Sequence, residues 1–412
     1  MEDTRDHAKG TAAADPRARE RHARWDALGV DELRRRGSLK WTAFPDALGA
    51  FVAESDLGTA PCVRTALTDA VEREAFGYLP TRLVPELQEA TASWYGRRHG
   101  HRVDPGSIQL VPDVLAAFEF AITRLSPAGA PVVVPTPAYM PFLDLPRRLG
   151  REIVEVPLLL DDDGWRLDTE GIDAALRGGP GLVVLCNPHN PTGHVASRGE
   201  LAALEEVVAA HPGTRVFSDE IHGGLALAGS THVPFASLSP RAARQAITAT
   251  STSKAFALPG LKCAQLLLSN DDDLAVWAEH GERAFKLTGT LGVEASIAAY
   301  RHGDDWLDDV LSYLDSLRAE FVGAVGAELP GVRLVAPEGT FIAWLDCSGL
   351  GLDESPAAFF LREAGVALSD GAACGEGFES WVRLVFATPR PVLERMLRSM
   401  GAALRRRGAP RR

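Results

Sequence analysis

The sequence lacks the features that mark membrane, secreted and nucleic-acid-binding proteins. No apolar run approaches the roughly 18 residues that a membrane-spanning helix needs. Residues 1–26 are charged and alanine-rich without an apolar centre, so we expect no secretory signal there. The chain has 43 basic and 55 acidic residues, a formal charge of −12, whereas a nucleic-acid binder normally has a basic domain. We therefore expect neither a membrane nor a nucleic-acid partner.

Cysteine is scarce as well. The five cysteines are scattered and odd in number, and no two are spaced as a CxxC metal motif. They indicate reduced thiols in a cytoplasmic protein rather than a disulfide framework. His189 and His194 share one loop, but Pro188 and Pro191 exclude a helical pair of ligands, and no carboxylate or thiolate trio accompanies them. We predict no metal site.

What remains is an ordinary globular composition, with 46% hydrophobic and 24% charged residues. From about residue 60, β-branched runs alternate with amphipathic helical patterns, which predicts βαβ units and a mostly parallel sheet. The candidate strands are residues 107–111, 132–135, 182–186, 215–218, 246–250 and 265–269.

The sequence pattern changes after a long helical stretch around residues 305–323. Strand-like runs and two closing helical patterns follow it. We predict an α/β fold with a large domain and a smaller α+β domain. The predicted division is a disordered tail at 1–22, an N-terminal segment joining the small domain at 23–60, the large domain at 61–315, the small domain at 316–405 and a basic tail at 406–412.

Polar or aromatic residues follow the predicted strands, and ligands of α/β sheets bind at the carboxyl ends of strands. Asp113 and Val114 open a helix, whose free N–H groups suit a phosphate. Tyr139 lies on a proline-flanked turn, where its ring could stack on a flat cofactor or pack in the core. A proline-rich loop carrying Asn190 follows the next strand.

Two further strands end in charged residues. Asp219 is expensive to bury unless a cation or hydrogen bonds accompany it, so it is either a helix cap or the partner of a cationic ring nitrogen. Ser251 and Ser253 place anion-binding hydroxyls just before Lys254. Each feature alone has a purely structural explanation, and only the combination indicates an active site.

The combination resembles a known family. Tyr139 is followed in order by Asn-Pro-His-Asn-Pro-Thr-Gly at 187–193, Ser-Asp-Glu-Ile-His at 218–222 and Ser-x-Ser-Lys at 251–254. This set is similar to fold-type I pyridoxal 5'-phosphate (PLP) enzymes of the class I/II aminotransferase superfamily. Asp-Glu-Ile-His and the run PEGTFIAWLD at 337–346 resemble its cystathionine β-lyase (MalY/PatB-like) branch. Walker A, GxGxxG and GxSxG motifs are absent from the sequence.

The resemblance implies roles around the cofactor ring. Lys254 binds the PLP aldehyde covalently and later acts as a base, and Asp219 keeps the ring nitrogen protonated. Tyr139 stacks on the ring, and Asn190 and His222 hydrogen-bond its O3′ oxygen.

The resemblance also implies how the phosphate is held. Ser251 and Ser253 bind it together with the backbone at Asp113 and Val114. Lys262 stands where many relatives have a phosphate-binding arginine. Many relatives have glycine where this chain has Asp113, and we expect the carboxylate to cap the helix or point away from the phosphate.

The remaining implied roles concern the substrate and the partner subunit. Arg383, with Asn190, binds the α-carboxylate of the substrate. Tyr78 reaches the cofactor of the neighbouring subunit, which implies a homodimer with active sites at the interface. Residues 51–57 and Val385 depart from the pattern of the branch where the substrate would lie, which leaves the substrate open.

We therefore predict a cytoplasmic PLP enzyme acting on an amino acid, a small-molecule substrate. The favoured reaction is α,β-elimination from an S-substituted cysteine, giving pyruvate, ammonia and a thiol. An aminotransferase and a decarboxylating or oxidative deaminase acting on a cysteine conjugate are alternatives. A transcription regulator with the same fold is disfavoured, because the roughly 60 residues before the core contain no basic helix-turn-helix pattern.

Overall fold

The computed structural model describes residues 16–408, in which helices and strands alternate along much of the chain. The helices are α1 (Pro16–Asp26), α2 (Val30–Arg36), α3 (Leu39–Thr42), α4 (Pro61–Glu72), α5 (Leu83–His99), α6 (Val114–Phe120), α7 (Pro141–Arg148), α8 (Thr169–Leu176), α9 (Arg198–Ala210), α10 (Pro240–Gln245), α11 (Thr252–Ala255), α12 (Asp271–His280), α13 (Glu282–Lys286), α14 (Thr290–His302), α15 (Asp304–Glu328), α16 (Pro356–Ala364) and α17 (Arg390–Gly408). The strands are β1 (Leu48–Gly49), β2 (Ile108–Val111), β3 (Val132–Thr136), β4 (Ile153–Pro157), β5 (Leu159–Asp161), β6 (Gly164–Arg166), β7 (Leu182–Cys186), β8 (Arg215–Asp219), β9 (Ala246–Thr250), β10 (Ala264–Leu268), β11 (Arg333–Leu334), β12 (Ile342–Asp346), β13 (Val366–Ala367), β14 (Ser369–Asp370) and β15 (Trp381–Val385).

A seven-stranded sheet in the order β2-β10-β9-β8-β7-β3-β4 forms the larger layer. Strands β3, β7, β9 and β10 are buried at every position, as expected for strands covered on both faces. The strand at 153–157, which sequence patterning missed, pairs in parallel with β3 at the edge of the sheet. Its half-buried residues give a weaker apolar signal than the central strands.

One strand of this sheet runs against the others. Strand β10 is antiparallel to both of its neighbours, β2 and β9. Residues 251–263, which link β9 to β10, contain only a one-turn helix and a short 3₁₀ turn, so the chain stays at the end of the sheet that it has just reached. A parallel connection would need a longer crossover to the opposite end.

The second layer is a four-stranded antiparallel sheet in the order β11-β12-β15-β14. The N-terminal segment packs onto it, because β1 pairs in parallel with β13 and the Val385 N–H donates to the Ala50 carbonyl. Helix α15 runs unbroken across residue 316, where the sequence predicts the start of the small domain.

Part of each predicted tail is helical in the described residues 16–408. Residues 16–22, predicted to be disordered, belong to α1, which the buried Trp25 anchors through ring contacts with Trp306 and Tyr313. The basic residues Arg406 and Arg407 lie in α17 and donate to backbone carbonyls rather than forming a free tail. Residues 1–15 and 409–412 lie outside the described part of the chain. No helix between residues 16 and 408 is long and apolar enough to cross a membrane.

Candidate functional site

A cavity of about 690 Å³ opens at the carboxyl end of the seven-stranded sheet, against the second layer. Most of the predicted site residues line it, together with several that sequence reasoning did not select. The predicted residues on its wall are Asp113, Val114, Tyr139, Asn190, Asp219, His222, Ser253, Lys254, Lys262 and Arg383.

The topology of the sheet explains why these residues meet. Tyr139 follows β3, Asn190 follows β7, Asp219 ends β8 and Lys254 follows β9, so all four lie at the same edge. Lys262 precedes β10, and the reversed direction of that strand brings its beginning to this edge as well. Arg383 comes from the second layer, on β15, and closes the cavity from the other side.

Lys254 is the candidate nucleophile and base. Its Nζ donates a hydrogen bond to the Ala53 carbonyl at 2.9 Å. Burial lowers the pKa of Lys254 to about 8, and the positive charge of Arg383 acts in the same direction, while Asp219 and Glu54 oppose the shift. A lysine with this pKa has a substantial neutral fraction near pH 8, and only the neutral amine can attack a carbonyl or accept a proton.

Asp219 lies in the wall of the cavity with its side chain buried. Its Oδ1 accepts a hydrogen bond from the Ile221 N–H at 3.1 Å, and no salt bridge to it is present within residues 16–408. Burial raises the pKa of Asp219 to about 7; the nearby Glu220 adds to this, and the Ile221 N–H and Lys254 work against it. A buried carboxylate without a salt-bridge partner can therefore bind a cation that would balance its charge.

Arg383 is buried and held from two sides. Its Nη1 donates to Asn190 Oδ1 at 3.1 Å, and its Nη2 donates to the Phe51 carbonyl at 2.9 Å. Its Nε and the Nδ1 of His222 are buried without a hydrogen-bond partner in the described part of the chain. Burial lowers the pKa of His222 well below its usual range, so this imidazole is neutral. Both residues line the cavity, so their unpaired atoms lie close to any group that binds there.

The residues predicted to bind the phosphate lie at the opposite end of the cavity. Asp113 caps α6 by accepting from the Ala116 N–H at 2.9 Å, which confirms the expectation of a capping carboxylate. Its other oxygen, Oδ2, pairs with Lys262 Nζ at 3.0 Å. Ser253 lines the cavity, whereas Ser251 lies behind it and donates to the Cys263 carbonyl. Ser251 therefore orients the turn through its hydrogen bond with the Ser253 hydroxyl.

The two predicted tyrosines lie in different places. Tyr139 is half-buried on the cavity wall, with its ring edge-on to Phe142, and burial raises its pKa. Tyr78 lies away from the cavity and its side chain is 100% exposed. Phe76, next to it, is 64% exposed, so an aromatic patch faces outward at this loop.

Sequence reasoning missed the apolar wall beside Arg383. It is formed by Phe51, Val52, Met140 and Pro141, with Ser369 nearby. The unusual sequence at 51–57 was a signal of substrate contact, but nothing in the sequence indicated Met140 or Ser369.

The segment at 51–57 is anchored by a buried ion pair. Lys40 Nζ bonds to Asp56 Oδ2 at 2.7 Å, and Trp41 Nε1 donates to the other oxygen of Asp56 at 2.8 Å. Breaking one partner of such a pair is strongly destabilising. The pair fixes the segment whose Ala53 carbonyl accepts from Lys254.

The residues present fit PLP. The cavity contains the Lys254 amine with its lowered pKa and the buried Asp219 carboxyl without a counter-cation. The Ser253 hydroxyl and the Lys262 amine lie near the beginning of α6. Lys254 would hold the aldehyde carbon, Asp219 the ring nitrogen, and Ser253 with Lys262 the phosphate. Across residues 16–408 no cluster of three or more side chains has the composition of a metal site.

The model of the family "Aminotransferase class I and II" matches residues 49–400. The chain belongs to this family. Among curated relatives, the cystathionine beta-lyase of Corynebacterium glutamicum is 39% identical over 376 residues, covering 91% of this chain and 99% of that protein. Cystathionine beta-lyase PatB of Bacillus subtilis is 33% identical, covering 89% of this chain and 96% of that protein.

A solved structure from Corynebacterium diphtheriae, assigned as a PLP-dependent β-cystathionase, is similar with a TM-score of 0.87. It is 36% identical, and the match covers 92% of this chain and 98% of that one. These findings confirm the fold-type I architecture, the family and PLP as its cofactor. The prediction of a PLP-dependent enzyme of the carbon–sulfur lyase branch is confirmed with them.

Proposed function

We propose that this enzyme cleaves S-substituted cysteines by α,β-elimination, converting substrate and water into pyruvate, ammonia and a thiol. The observation that carries the proposal is Arg383, a buried guanidinium held by Asn190 and the Phe51 carbonyl on the wall opposite Lys254. This arrangement suits a substrate whose carboxylate is retained during the reaction.

Arg383 binds and orients the α-carboxylate. A guanidinium offers a planar pair of donors, which matches a carboxylate better than a lysine does. Because its hydrogen bonds to Asn190 and Phe51 are present before substrate arrives, little side-chain freedom is lost on binding. A carboxylate fixed in this way leaves the Cα–H bond, rather than the bond to the carboxylate, available to the base.

Lys254 moves the proton at Cα. Its Nζ lies within the cavity, and its pKa of about 8 suits proton transfer near neutral pH. When bound, PLP supplies the electron sink that makes removal of this proton feasible. Asp219 lies at the sheet edge, where its carboxylate would stabilise the cationic form of the ring nitrogen and would itself be kept ionised by that cation. The Cα proton is taken by Lys254, and the departing sulfur leaves as a thiolate that is protonated to the thiol.

We further propose that the active enzyme is a homodimer in which Tyr78 completes the site of the partner subunit. Tyr78 is fully exposed and Phe76 is largely exposed in the single subunit. Their exposure supports a subunit interface at this loop, since large aromatic side chains are enriched in interfaces. We also propose a cytoplasmic location. The five free thiols, four of them buried, support it.

Product analysis tests the reaction. The PLP-loaded enzyme is incubated with an S-alkyl cysteine, and pyruvate, thiol, ammonia and carbon dioxide are all quantified. Elimination gives pyruvate and thiol in equal amounts without carbon dioxide. Arg383→Lys, the conservative variant, should raise KM and lower kcat together, because a point charge replaces the bidentate fork.

Other product patterns would reject the proposal. Carbon dioxide with an S-linked aldehyde indicates decarboxylative deamination. A keto acid formed only when an amino acceptor is added indicates an aminotransferase.

A further inference from the structure

His194 links the two layers of the fold through a cluster of three ionisable side chains. Its Nδ1 lies 2.8 Å from Glu338 Oε2, and its Nε2 lies 3.0 Å from Glu200 Oε1. Glu338 belongs to the segment 337–340 that leads into β12 of the second layer, whereas Glu200 lies in the first turn of α9, between β7 and β8 of the larger sheet. The imidazole ring, with its side chain only 12% exposed, therefore joins one layer to the other.

The geometry of the cluster requires the His194 ring to be a cation. Ionised carboxylates only accept hydrogen bonds and a neutral imidazole has a single N–H, so both contacts are hydrogen bonds only when both ring nitrogens are protonated. Burial lowers the pKa of His194, but the hydrogen bonds to Glu200 and Glu338 raise it to about 9. Burial likewise opposes the ionisation of Glu200, yet the bond to the ring lowers its pKa to about 2. At neutral pH a positive ring therefore lies between two negative carboxylates.

The loop that carries His194 also carries Asn190, which contacts Arg383. Two backbone hydrogen bonds of 2.8 Å close this loop, from the His189 N–H to the His194 carbonyl and from the Gly193 N–H to the His189 carbonyl. Asn190 Oδ1 accepts from Arg383 Nη1 at 3.1 Å. The loop thus meets the second layer at two points, at Asn190 and at His194, and a shift at one point moves the other.

The two layers approach closely at this joint. The Glu338 N–H donates to the Gly193 carbonyl at 2.9 Å. Gly193 has a φ of 76°, and a Cβ added to it would lie 2.4 Å from the Cβ of Pro337. The segment of Pro337 and Glu338 leads into β12, which pairs along its length with β15, the strand of Arg383. A displacement of this segment is therefore passed to Arg383.

Without the positive ring, two carboxylates would face each other across the joint. The hydrogen bond from His194 lowers the pKa of Glu338, whereas the negative charge of Glu200 works against this. The side chains of Glu200 and Glu338 are only 22% and 47% exposed, so water screens their repulsion incompletely. The repulsion would move the segment 337–340, and with it the pair of strands β12 and β15, away from α9.

We infer that His194 is a positioning residue for the substrate carboxylate, because its protonated ring holds the loop of Asn190 against the second layer and thereby fixes the Arg383 guanidinium. The inference rests on the proposed function, in which Arg383 binds the α-carboxylate. His194 acts through Asn190 and Arg383 rather than by touching the substrate.

Two matched ligands test the inference by binding alone. L-Alanine and L-alaninamide differ only in that a neutral amide replaces the carboxylate, and neither has a sulfur substituent to eliminate. Both are titrated into the PLP-loaded enzyme while the absorbance of the bound cofactor is followed, and dissociation constants refer to the free-amine form of each ligand. His194→Gln should weaken alanine binding about fivefold and leave alaninamide binding within about twofold of the wild type. Unchanged alanine binding, or an equal loss for both ligands, would overturn the inference.

Failure of the proposed function has a different signature. If the wild type itself binds alanine no more tightly than alaninamide, Arg383 is not the carboxylate clamp and the inference falls with that role. If the wild type prefers alanine and His194→Gln retains the full preference, only the inference fails.

His211→Gln is the matched control. His211 also bonds a carboxylate, with its Nε2 2.8 Å from Asp173 Oδ1, but this pair joins α8 to the end of α9 and does not reach the second layer. Both dissociation constants should stay as in the wild type. Thermal unfolding of every variant is measured alongside, so that loss of the fold is recognised as such.

A second substitution separates charge from packing. The double variant His194→Gln/Glu338→Gln removes the repulsion and should recover most of the lost alanine affinity; no recovery would overturn the inference. Glu338→Gln alone keeps an acceptor for the Val195 N–H and should weaken alanine binding about threefold, which provides the test if His194→Gln does not fold.

The pH dependence is a further readout. The charged and titratable groups on the elements packed around His194 are Glu200 on α9, Glu338, His189 in the same loop, Arg166 near Glu200, and Arg318, which donates to the Pro337 carbonyl. Burial lowers the pKa of His189 to about 3, so His194 is the member of this set that changes charge between pH 7 and 10. The difference in alanine affinity between the wild type and His194→Gln should be complete at pH 7 and shrink as the pH rises through about 9. A difference that stays constant to pH 10 would overturn the inference.

Discussion

Replacing Asp219 by asparagine should stabilise the cofactor-free protein while disabling the enzyme. The carboxylate is buried and accepts a hydrogen bond from the Ile221 N–H without a salt-bridge partner in the described chain. Its pKa is raised from 3.8 to about 7, and this difference corresponds to roughly 4 kcal/mol of unfavourable free energy once the group is ionised. Asparagine is similar in shape, can accept the same hydrogen bond and carries no charge.

The difference in stability between Asp219→Asn and the wild type should depend on pH. Below about pH 4, Asp219 is protonated in both the folded and the unfolded state, so the two proteins should be equally stable. Between about pH 4 and 7 the unfolded state loses its proton first, so the wild type loses stability relative to the variant. Above pH 7 the difference should level off at roughly 4 kcal/mol in favour of Asp219→Asn. Buried histidines titrate in both proteins, so their contribution cancels in the comparison.

Urea unfolding of both cofactor-free proteins at a series of pH values measures this difference. Asp273→Asn is the matched control, because Asp273 is also buried but pairs with Arg215, and its loss should destabilise the protein at pH 8. If Asp219→Asn is no more stable than the wild type at pH 8, the ionised carboxylate does not destabilise the cofactor-free fold. The view that Asp219 lacks a cationic partner would then be wrong. In the PLP-loaded enzyme the same substitution should lower kcat at least about 10²-fold.

Three further predictions concern the cofactor and the assembly. Lys254→Ala should abolish both turnover and the borohydride-reducible absorbance of the cofactor, and label found on another lysine would contradict the assignment. Asp113→Asn keeps a good helix cap but releases Lys262 from its ion pair, so PLP should bind several-fold more tightly in fluorescence titrations; weaker binding would mean that the carboxylate supports the phosphate site. Inactive variants at Tyr78 and at Lys254 should regain partial activity when their subunits are exchanged, and no recovery after verified exchange would show that each subunit has a complete site.

The central strands could be predicted from the sequence because strands buried on both faces are continuous apolar runs. Strands β7 and β9 lie at the predicted residues. The edge strand at 153–157 and the strand at 381–385 were missed, since a charged residue, Glu155 or Arg383, interrupts the apolar pattern at the centre of each. Position in the sheet, rather than intrinsic propensity, decides such strands.

Cavity residues that belong to recognisable sequence motifs could be predicted. Cavity residues that reach the site only through tertiary packing could not. Asp219 and Lys254 end or follow strands with recognisable local sequences. Met140 and Ser369 lie far apart in the chain and converge only when the second layer packs on the first. The ion pair of Asp113 with Lys262 joins residues 149 positions apart, a distance that no local pattern spans.

The reversed strand β10 also determines when the phosphate end of the cavity can form during synthesis. The two sides of the phosphate end, Asp113 after β2 and Lys262 before β10, meet only when β10 inserts between β2 and β9. Because inserting a strand between two others joins segments distant in sequence, it belongs to the slow, non-local part of folding. A ribosome-bound chain that has not yet released residues 264–268 therefore contains Lys254 and Ser253 but lacks the strand pairing that brings Lys262 to Asp113. The contact between Lys262 and Asp113 therefore forms only after β10 has taken its place between β2 and β9.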